Sequence, residues 1–485
     1  MAAHCDLLVI GGGINGTGIA RDAAGRGLKV VLAEKSDLGA ATSSASSKLV
    51  HGGLRYLEHF EFRLVAEALA EREVLLRVAA PLVWPMRFVV PQAPGLRPRW
   101  MIRLGLFLYD HLARRSLLPA SQPVALDAAP YGTGLRPGLR HGFVYSDCAV
   151  DDSRLVVANA LDARARGARV LPRTEVLSAQ RSGEAWRALL SNGEALGARA
   201  IVNAAGPWVK GVLNACLGQQ AEAEIRLVQG SHIVVPRRYP GEHAFILQND
   251  DGRVVFMIPY EERFTLVGTT DVAIEGDPAA VRVSPEEVEY LCRAVNRYLA
   301  STLAPSDVLW RYAGVRPLAD DGSVEPSAVT RDYTLRVDGG DGAAPVLSVL
   351  GGKITTYRRL AEQALERLRP FFPRMAGPWT ARTPLPGSAF ESAEHARAEL
   401  RSRYRRLPPA LVDTIFRRHG MLAEQVLGDG MVGEDFGAGL SEREVRYFIE
   451  REWADSAEDV LWRRSKAGLH LDARQQDRVR EFIGR

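Results

Sequence analysis

The sequence predicts an α/β protein in which a strand-rich section is inserted into a βαβ framework and a helical region closes the chain. Three observations lead there. A hydrophobic strand pattern from Asp6 to Ile10 runs into GGGINGTG, a helical pattern to about Gly25 and a second strand ending on Glu34, which together make a βαβ unit. Residues 225 to 350 read mainly as strands (IRLVQGSHIVV, RVVFMIPY, FTLVGTTD and PVLSVLGG), spaced closely enough for an antiparallel sheet. From about residue 389 the pattern is almost purely helical and rich in Arg and Glu.

A chain of 485 residues is too long for one ordinary core, so two or three domains are expected. At 46% hydrophobic and 25% charged the composition is that of a folded globular protein, and a net charge of +4 is too small to argue for a nucleic-acid partner. Nearly all basic residues are arginine, so the few lysines that fall inside motifs, Lys48 and Lys353, stand out. Cys5, Cys148, Cys216 and Cys292 lie far apart, with no CxxC pair and no histidine spacing suited to zinc. Neither a disulfide framework nor a metal site is expected, and a reducing cytoplasmic setting fits. No basic leader precedes the first strand, and no run of about eighteen apolar residues occurs. Neither a signal peptide nor a transmembrane helix is expected, so any membrane contact is peripheral.

Between these landmarks lie a Ser/Ala/Gly loop at residues 36–53, a charged helix from Glu61 to Ala79 and a proline-punctuated basic segment at 81–120. A helix from Asp152 to Gly167 and strands near Arg169 to Leu171 and Ala200 to Ala204 return the α/β pattern, and a further helix starts near Thr355. Breaks in the helical tail are expected at Pro408-Pro409 and at 428–439, and a domain boundary at TPLPGSAF, near 380–390. The expected division is 1–80 with 145–225 and 340–380 as a discontinuous cofactor-binding domain, 81–144 with 226–339 as a substrate-binding domain, and 389–485 as a helical C-terminal domain.

Gly11-x-Gly13-x-x-Gly16 follows a strand, opens a helix and has an acid, Glu34, at the end of the next strand. Gly11 permits the tight turn, Gly13 lets the backbone approach a pyrophosphate, and Gly16 lets helix and strand pack closely. The helix N-terminus at Ile14 and Asn15 offers N–H groups and a positive dipole end to phosphates, and Glu34 can accept from a ribose diol. A dinucleotide is expected. FAD is favoured over NAD because a second Ser/Gly-rich loop, Thr42 to Tyr56, follows the acid directly and a long antiparallel section replaces further parallel strands. NAAGPWV (Asn203 to Val209) reads as a turn contacting the adenosine part, although a plain strand-to-helix turn accounts for it equally well. The residues expected on the cofactor are Gly11, Gly13, Ile14, Asn15, Gly16, Glu34, Thr42, Ser43, Lys48, Val176, Ala205, Gly206, Gly352, Lys353 and Thr355.

In PVLSVLGGKITTYR a strand ends on Gly351-Gly352, followed by Lys353 and a helix capped by Thr355 or Thr356. Reduced flavin carries negative charge near N1 and the C2 carbonyl, which a helix dipole and Lys353 stabilise. Arg316 in YAGVRPL and Arg331 in TRDYTL bracket the acidic Asp320-Asp321-Gly322, and their planar forks suit bidentate phosphate binding. Alcohol oxidation also needs a base for the hydroxyl proton as hydride leaves carbon. His232 in GSHIVVP and His51 before Gly52-Gly53 are the candidates, set against the commoner role of a strand histidine as a core residue. Tyr56 is placed to donate to substrate oxygens, and Thr269, Thr270 and Asp271 (GTTD) are expected to line the same cavity.

Taken together, GGGINGTGIA, TSSASSKLVHGGLRYLE, YSDCAVDDSRLV, NAAGPWVK, GSHIVVP, VGTTD, GVRPL, TRDYTL and GGKITTYR resemble the aerobic, FAD-dependent glycerol-3-phosphate dehydrogenases of bacteria. EDFG and LWRRSK, Leu461 to Lys466, extend the resemblance into the helical tail. It implies a Rossmann-type FAD-binding domain of the D-amino-acid-oxidase and glutathione-reductase superfamily, with an antiparallel β substrate domain, an all-helical C-terminal domain and non-covalent FAD. It implies oxidation of sn-glycerol 3-phosphate to dihydroxyacetone phosphate by hydride transfer to flavin N5, the electrons passing to ubiquinone or menaquinone. It puts Arg316 and Arg331 on the phosphate, and Tyr56, His232, Lys353 and Arg316 around the reacting carbon. Which of His232 and Lys353 takes the hydroxyl proton stays open.

The same resemblance implies a homodimer attached peripherally to the inner face of the cell membrane. Residues 96–118 give this a physical footing. Read as a helix, Trp100, Leu104, Phe107, Leu108 and Leu112 share a face, while Arg97, Arg99, Arg103, Arg114 and Arg115 supply charge for anionic head groups. A basic-flanked core helix is the competing reading. For function the rivals are a glycerol-3-phosphate oxidase using O2, an amine or amino-acid oxidase of the same fold, and a flavin-binding sensor without catalysis.

Overall fold

The computed structural model describes residues 3–93, 97–114, 117–219, 225–319, 332–340 and 342–484. Two large sheets carry the chain. The middle of the first is parallel, with Ala343–Leu350, Ala195–Asn203, Ala3–Ile10, Val30–Ala33 and Arg169–Leu171 side by side. Such a sheet is covered on both faces and favours continuous apolar strands, and the LLVI and VVLA runs supply them. Leu7 and Val9 point into a core shared with the helices Ile14–Gly25, Asp152–Ala165 and Tyr357–Leu368. Leu8 and Ile10 point the other way, onto residues of Val176–Ser182 and Ala185–Leu190.

The second sheet runs Val272–Ile274, Ile225–Pro236, Phe264–Gly268, Val254–Tyr260, Ala244–Gln248, Val83–Pro91, His141–Val150 and Leu49–Val50. Trp310–Ala319 pairs along Ile225–Pro236, and Gln122–Ala125 pairs with His141–Val150. Every pairing is antiparallel except that of Ala244–Gln248 with Val83–Pro91. Two expected boundaries cut across these sheets. Position 145 falls inside His141–Val150, which lies in the second sheet, and Thr334–Gly340 pairs with Ala343–Leu350 in the first.

Two elements differ from expectation. The basic segment after residue 81 contains the strand Val83–Pro91, where Pro85 and Pro91 are accommodated within a ladder paired to His141–Val150. The strand-rich middle is interrupted by the helix Pro285–Asn296, which begins with a capping box: Glu287 N–H donates to Ser284 Oγ at 3.2 Å and Ser284 N–H donates to the Glu287 carboxylate at 3.1 Å.

The C-terminal helices Ala393–Arg403, Pro409–His419, Glu442–Glu452 and Ala473–Ile483 surround a core of their own. The region is not wholly helical. Asp435–Gly437 and Leu440–Ser441 form a two-stranded ribbon, because the turn between them runs through left-handed backbone at Gly437, Ala438 and Gly439.

Candidate active site

A cavity of about 1720 Å³ lies along the two sheets and reaches the glycine loop at one end and Arg316 at the other. Ordinary small-molecule pockets hold roughly 300–1,000 Å³, so this one has room for a dinucleotide and a substrate together.

At the dinucleotide end the glycines act by close approach. A Cβ on Gly16 would stand 1.9 Å from the Gly11 carbonyl oxygen, and one on Gly11 would stand 2.5 Å from that of Ala204. Glu34 accepts from Gly12 N–H at 2.6 Å and from Ser36 N–H at 2.8 Å. Burial is the larger influence on its carboxyl and pushes it above the usual range. Ser43 Oγ sits at the helix N-terminus, accepting from Ile14 N–H at 2.9 Å, which leaves its own proton for an anion. Asn15 Nδ2 donates to the Gly351 carbonyl at 3.2 Å, while its Oδ1 is buried without a partner among the described residues. Gly13, Thr42, Val176, Ala205, Gly206, Gly352 and Thr355 line the same cavity. An anion-ready helix end, an acid beyond it and an unmatched buried amide oxygen fit a dinucleotide cofactor.

Lys48 does not join this group. Its ammonium is buried, donating to the Asp152 carboxylate at 2.9 and 3.0 Å and to the Ser44 carbonyl at 2.9 Å. It anchors the loop from behind. The left-handed conformation of Lys48 itself turns the side chain away from the cavity.

The redox end is built where strand Ala343–Leu350 stops. Gly351, Gly352 and Lys353 lead into the single turn Ile354–Thr356 and the helix Tyr357–Leu368. Thr356 holds the N-cap position of that helix, but its hydroxyl makes no capping hydrogen bond. Thr355 Oγ accepts from His51 N–H at 3.1 Å, joining this turn to the loop that carries Tyr56. The Lys353 ammonium lies 3.8 Å from the centre of the Tyr56 ring. His51 and Tyr56 both line the cavity.

His232 lies opposite Gly268 on one neighbouring strand and Tyr312 on the other. A side chain on Gly268 would meet its ring at 2.1 Å, so glycine there makes its room. Its Nε2 is 2.9 Å from Ser47 Oγ, and its ring stacks on Tyr312 at 4.9 Å between centroids. Burial, reinforced by the positive charges of Arg316 and Lys48, holds the imidazole well below its usual pKa. Arg316 donates to Asp271 at 2.5 Å and to Thr269 Oγ at 3.1 Å, with part of its guanidinium facing the cavity. Thr269 and Asp271 therefore line the cavity with Arg316, and Thr270 does not. Thr270 points beneath the strand, donating to Glu287 at 2.7 Å and accepting from Ser231 N–H at 2.9 Å. Arg331, with Asp320, Asp321 and Gly322, lies outside the described residues.

Three contributors were not singled out from the sequence. Ser47 sits in the quoted TSSASSK string, but nothing in that string distinguishes it from its neighbours. Tyr312 is placed by strand register, which the chain does not announce. Trp462 of the C-terminal region stacks on Trp310 at 4.7 Å, and Trp310 packs on Tyr312 at 4.9 Å, so the helical tail backs the histidine from far along the chain.

This fold and site define a flavin-dependent oxidoreductase, and the chain belongs to that family: the pattern described as FAD dependent oxidoreductase matches residues 6–358. The C-terminal domain of alpha-glycerophosphate oxidase matches residues 378–483. The chain is similar over its whole length to a glycerol-3-phosphate dehydrogenase of Pseudomonas aeruginosa, at 54% identity and covering 96% of that protein. It is 51% identical to a D-erythritol 1-phosphate dehydrogenase of Brucella abortus, over 96% of this chain and 95% of that one. Its fold is similar to the structure of a glycerol-3-phosphate dehydrogenase from Bacillus halodurans complexed with FAD, with a TM-score of 0.74, 25% identity, and coverage of 99% of this chain and 94% of that one. The cofactor is FAD.

Proposed function

We propose that this chain oxidises sn-glycerol 3-phosphate at its secondary alcohol to dihydroxyacetone phosphate and delivers the electrons to a membrane quinone. The observation that carries the reading is a neutral, buried histidine beside a phosphate-capable arginine, in one cavity with the dinucleotide site. FAD, when bound, supplies the oxidant by accepting hydride from the substrate carbon. His232 takes the hydroxyl proton at Nε2, the nitrogen now beside Ser47 Oγ. Its imidazole, held neutral by burial beside Ser47, is available as a base, which assigns that role to His232 in this reading. Lys353 provides fixed positive charge, oriented by the Tyr56 ring. Arg316, aimed by Asp271 and Thr269, binds the phosphate together with Arg331. The first sheet with its helices forms the FAD domain, and the second sheet forms the substrate domain.

The helix Arg99–His111 supports this reading of acceptor and location. Its inward face buries Ile102, Leu106 and Tyr109, while Trp100, Leu104 and Phe107 stand 68%, 50% and 50% exposed. Phe60, 79% exposed, and Trp100 also rim the cavity, with exposed Arg99 and Arg103 beside them. An apolar face with a basic border suits the head-group region of a bilayer, where a quinone is available. No described helix is long and apolar enough to cross a membrane. In this reading the chain works peripherally attached to the inner face of the cell membrane.

D-erythritol 1-phosphate is the second reading, raised by the 51% identical relative that bears that substrate in its name. Steady-state kcat/KM for the two substrates under one acceptor decides. The proposal expects sn-glycerol 3-phosphate to be preferred by about tenfold or more, and a reversed preference overturns it in favour of the longer polyol phosphate.

A further inference from the structure

We propose that the C-terminal segment 463–466 clamps the loop that cradles the flavin nucleotide, so that the helical region sets how tightly FAD is held. The inference rests on FAD as cofactor and not on the identity of the substrate. Loop 36–48 follows Glu34 and brings Ser36, Thr42 and Ser43 to the cavity. Near its start, Gly39 N–H donates to the Gly12 carbonyl at 3.0 Å, so its position and that of the glycine loop are linked.

The helical region holds one end of this loop directly and the other through the residues that flank Asp152. At the first, buried Asp37 accepts from Arg463 Nε at 2.5 Å and from Arg464 Nη1 and Nη2 at 2.8 and 2.7 Å. Arg464 is in turn fixed by donating to the Glu452 carbonyl at 2.8 and 3.3 Å. At the second, Ser46 Oγ and Lys48 Nζ hold Asp152 at 2.7 and 2.9 Å. The residues flanking Asp152 are gripped as well: the Lys466 ammonium lies 3.2 Å from Asp151, and Ser153 Oγ donates to the Arg463 carbonyl at 2.7 Å.

A loop that must become ordered when its ligand binds loses affinity by the entropy of ordering, and a loop held in place beforehand does not. Bidentate arginine–carboxylate bonds are directional enough to hold it. Arg464 acts on the loop through Asp37, and Lys466 acts through Asp151 and Ser153, which flank Asp152; Arg463 bonds Asp37 and also lines the cavity.

Full-length apoprotein titrated with FAD, with flavin fluorescence as the readout, tests this. Arg463→Gln, Arg464→Lys and Asp37→Asn are each expected to raise the FAD Kd on the order of tenfold. The double variant Asp37→Asn/Arg464→Lys is expected to rise no further than the worse single, because both act through one pair. Arg478→Gln, which removes an exposed pair with Glu434 in the same region, keeps the wild-type Kd. A wild-type Kd in folded Arg463→Gln, or additive effects in the double variant, overturns the clamp. If Arg464→Lys does not fold, hydrogen exchange of apo Arg463→Gln decides: faster exchange within residues 36–48 supports the clamp, and unchanged protection overturns it.

Discussion

At His232 the protein keeps a histidine uncharged by enclosing it. Its folded-state pKa lies below the ordinary value because burial disfavours the imidazolium and two cations stand near. The base is therefore competent throughout the neutral range, and activity is lost only as pH falls through that depressed pKa. A pH profile of kcat/KM should show no inflection near 6.5 from this group, and a full titration there would contradict the assignment. His232→Asn should lower kcat by roughly 10²–10⁴-fold while FAD absorbance is retained. Legibility was uneven at this scale. Gly11, Gly13, Gly16 and Glu34 are readable because their spacing is set by the local geometry of one βαβ unit. Lys48 and Thr270 show what spacing cannot give, because side-chain direction depends on the turn: Lys48 faces Asp152, and Thr270 faces Glu287.

Among the elements, the helix Arg99–His111 shows how periodicity can be right in kind and wrong in detail. The expected outward face included Leu108 and Leu112, but both are half-buried, and Trp100, Leu104 and Phe107, spaced by four and three, stand out instead. Leu96 and Arg115 of that segment lie outside the described residues. Leu104→Asp with Phe107→Asp should reduce co-sedimentation with anionic vesicles by an order of magnitude or more. Binding equal to wild type would remove the helix from the membrane account. The strand Val83–Pro91 and the helix Pro285–Asn296 escaped the sequence reading for opposite reasons. Prolines disguised the first, and strands on either side masked the second, although Ser284-x-x-Glu287 is a readable capping box. Glu287 also accepts from Gln229, Ser231 and Thr270, so that helix braces the strand carrying His232.

At the scale of the whole molecule, the helical tail is joined to the first core by buried charge. Arg154 of the helix Asp152–Ala165 pairs with Glu452, and His419 lies 3.0 Å from Glu444 and 3.2 Å from Arg154. Arg154 stands 298 positions from Glu452 and 265 from His419, which is why this joint is not legible in the sequence. Histidines buried this way make stability depend on pH. His243 is lowered to about 4, mainly by burial, and His419 is lowered with burial as its leading cause. Unfolding lets each take up a proton below about 6.5, so their contribution is intact above that pH and declines as pH falls towards 4. Melting temperature should fall over this window, with a loss of about 1.4 kcal/mol per pH unit for each histidine that stays neutral in the fold. His243→Gln should flatten that slope, and an unchanged slope would put the pH dependence elsewhere.

The most direct test of the central claim is anaerobic visible spectroscopy of the purified holoprotein during titration with sn-glycerol 3-phosphate. Loss of the oxidised flavin bands near stoichiometric substrate, with glycerol and amino acids inert, is the predicted result. Oxidised bands that persist through excess substrate would contradict it.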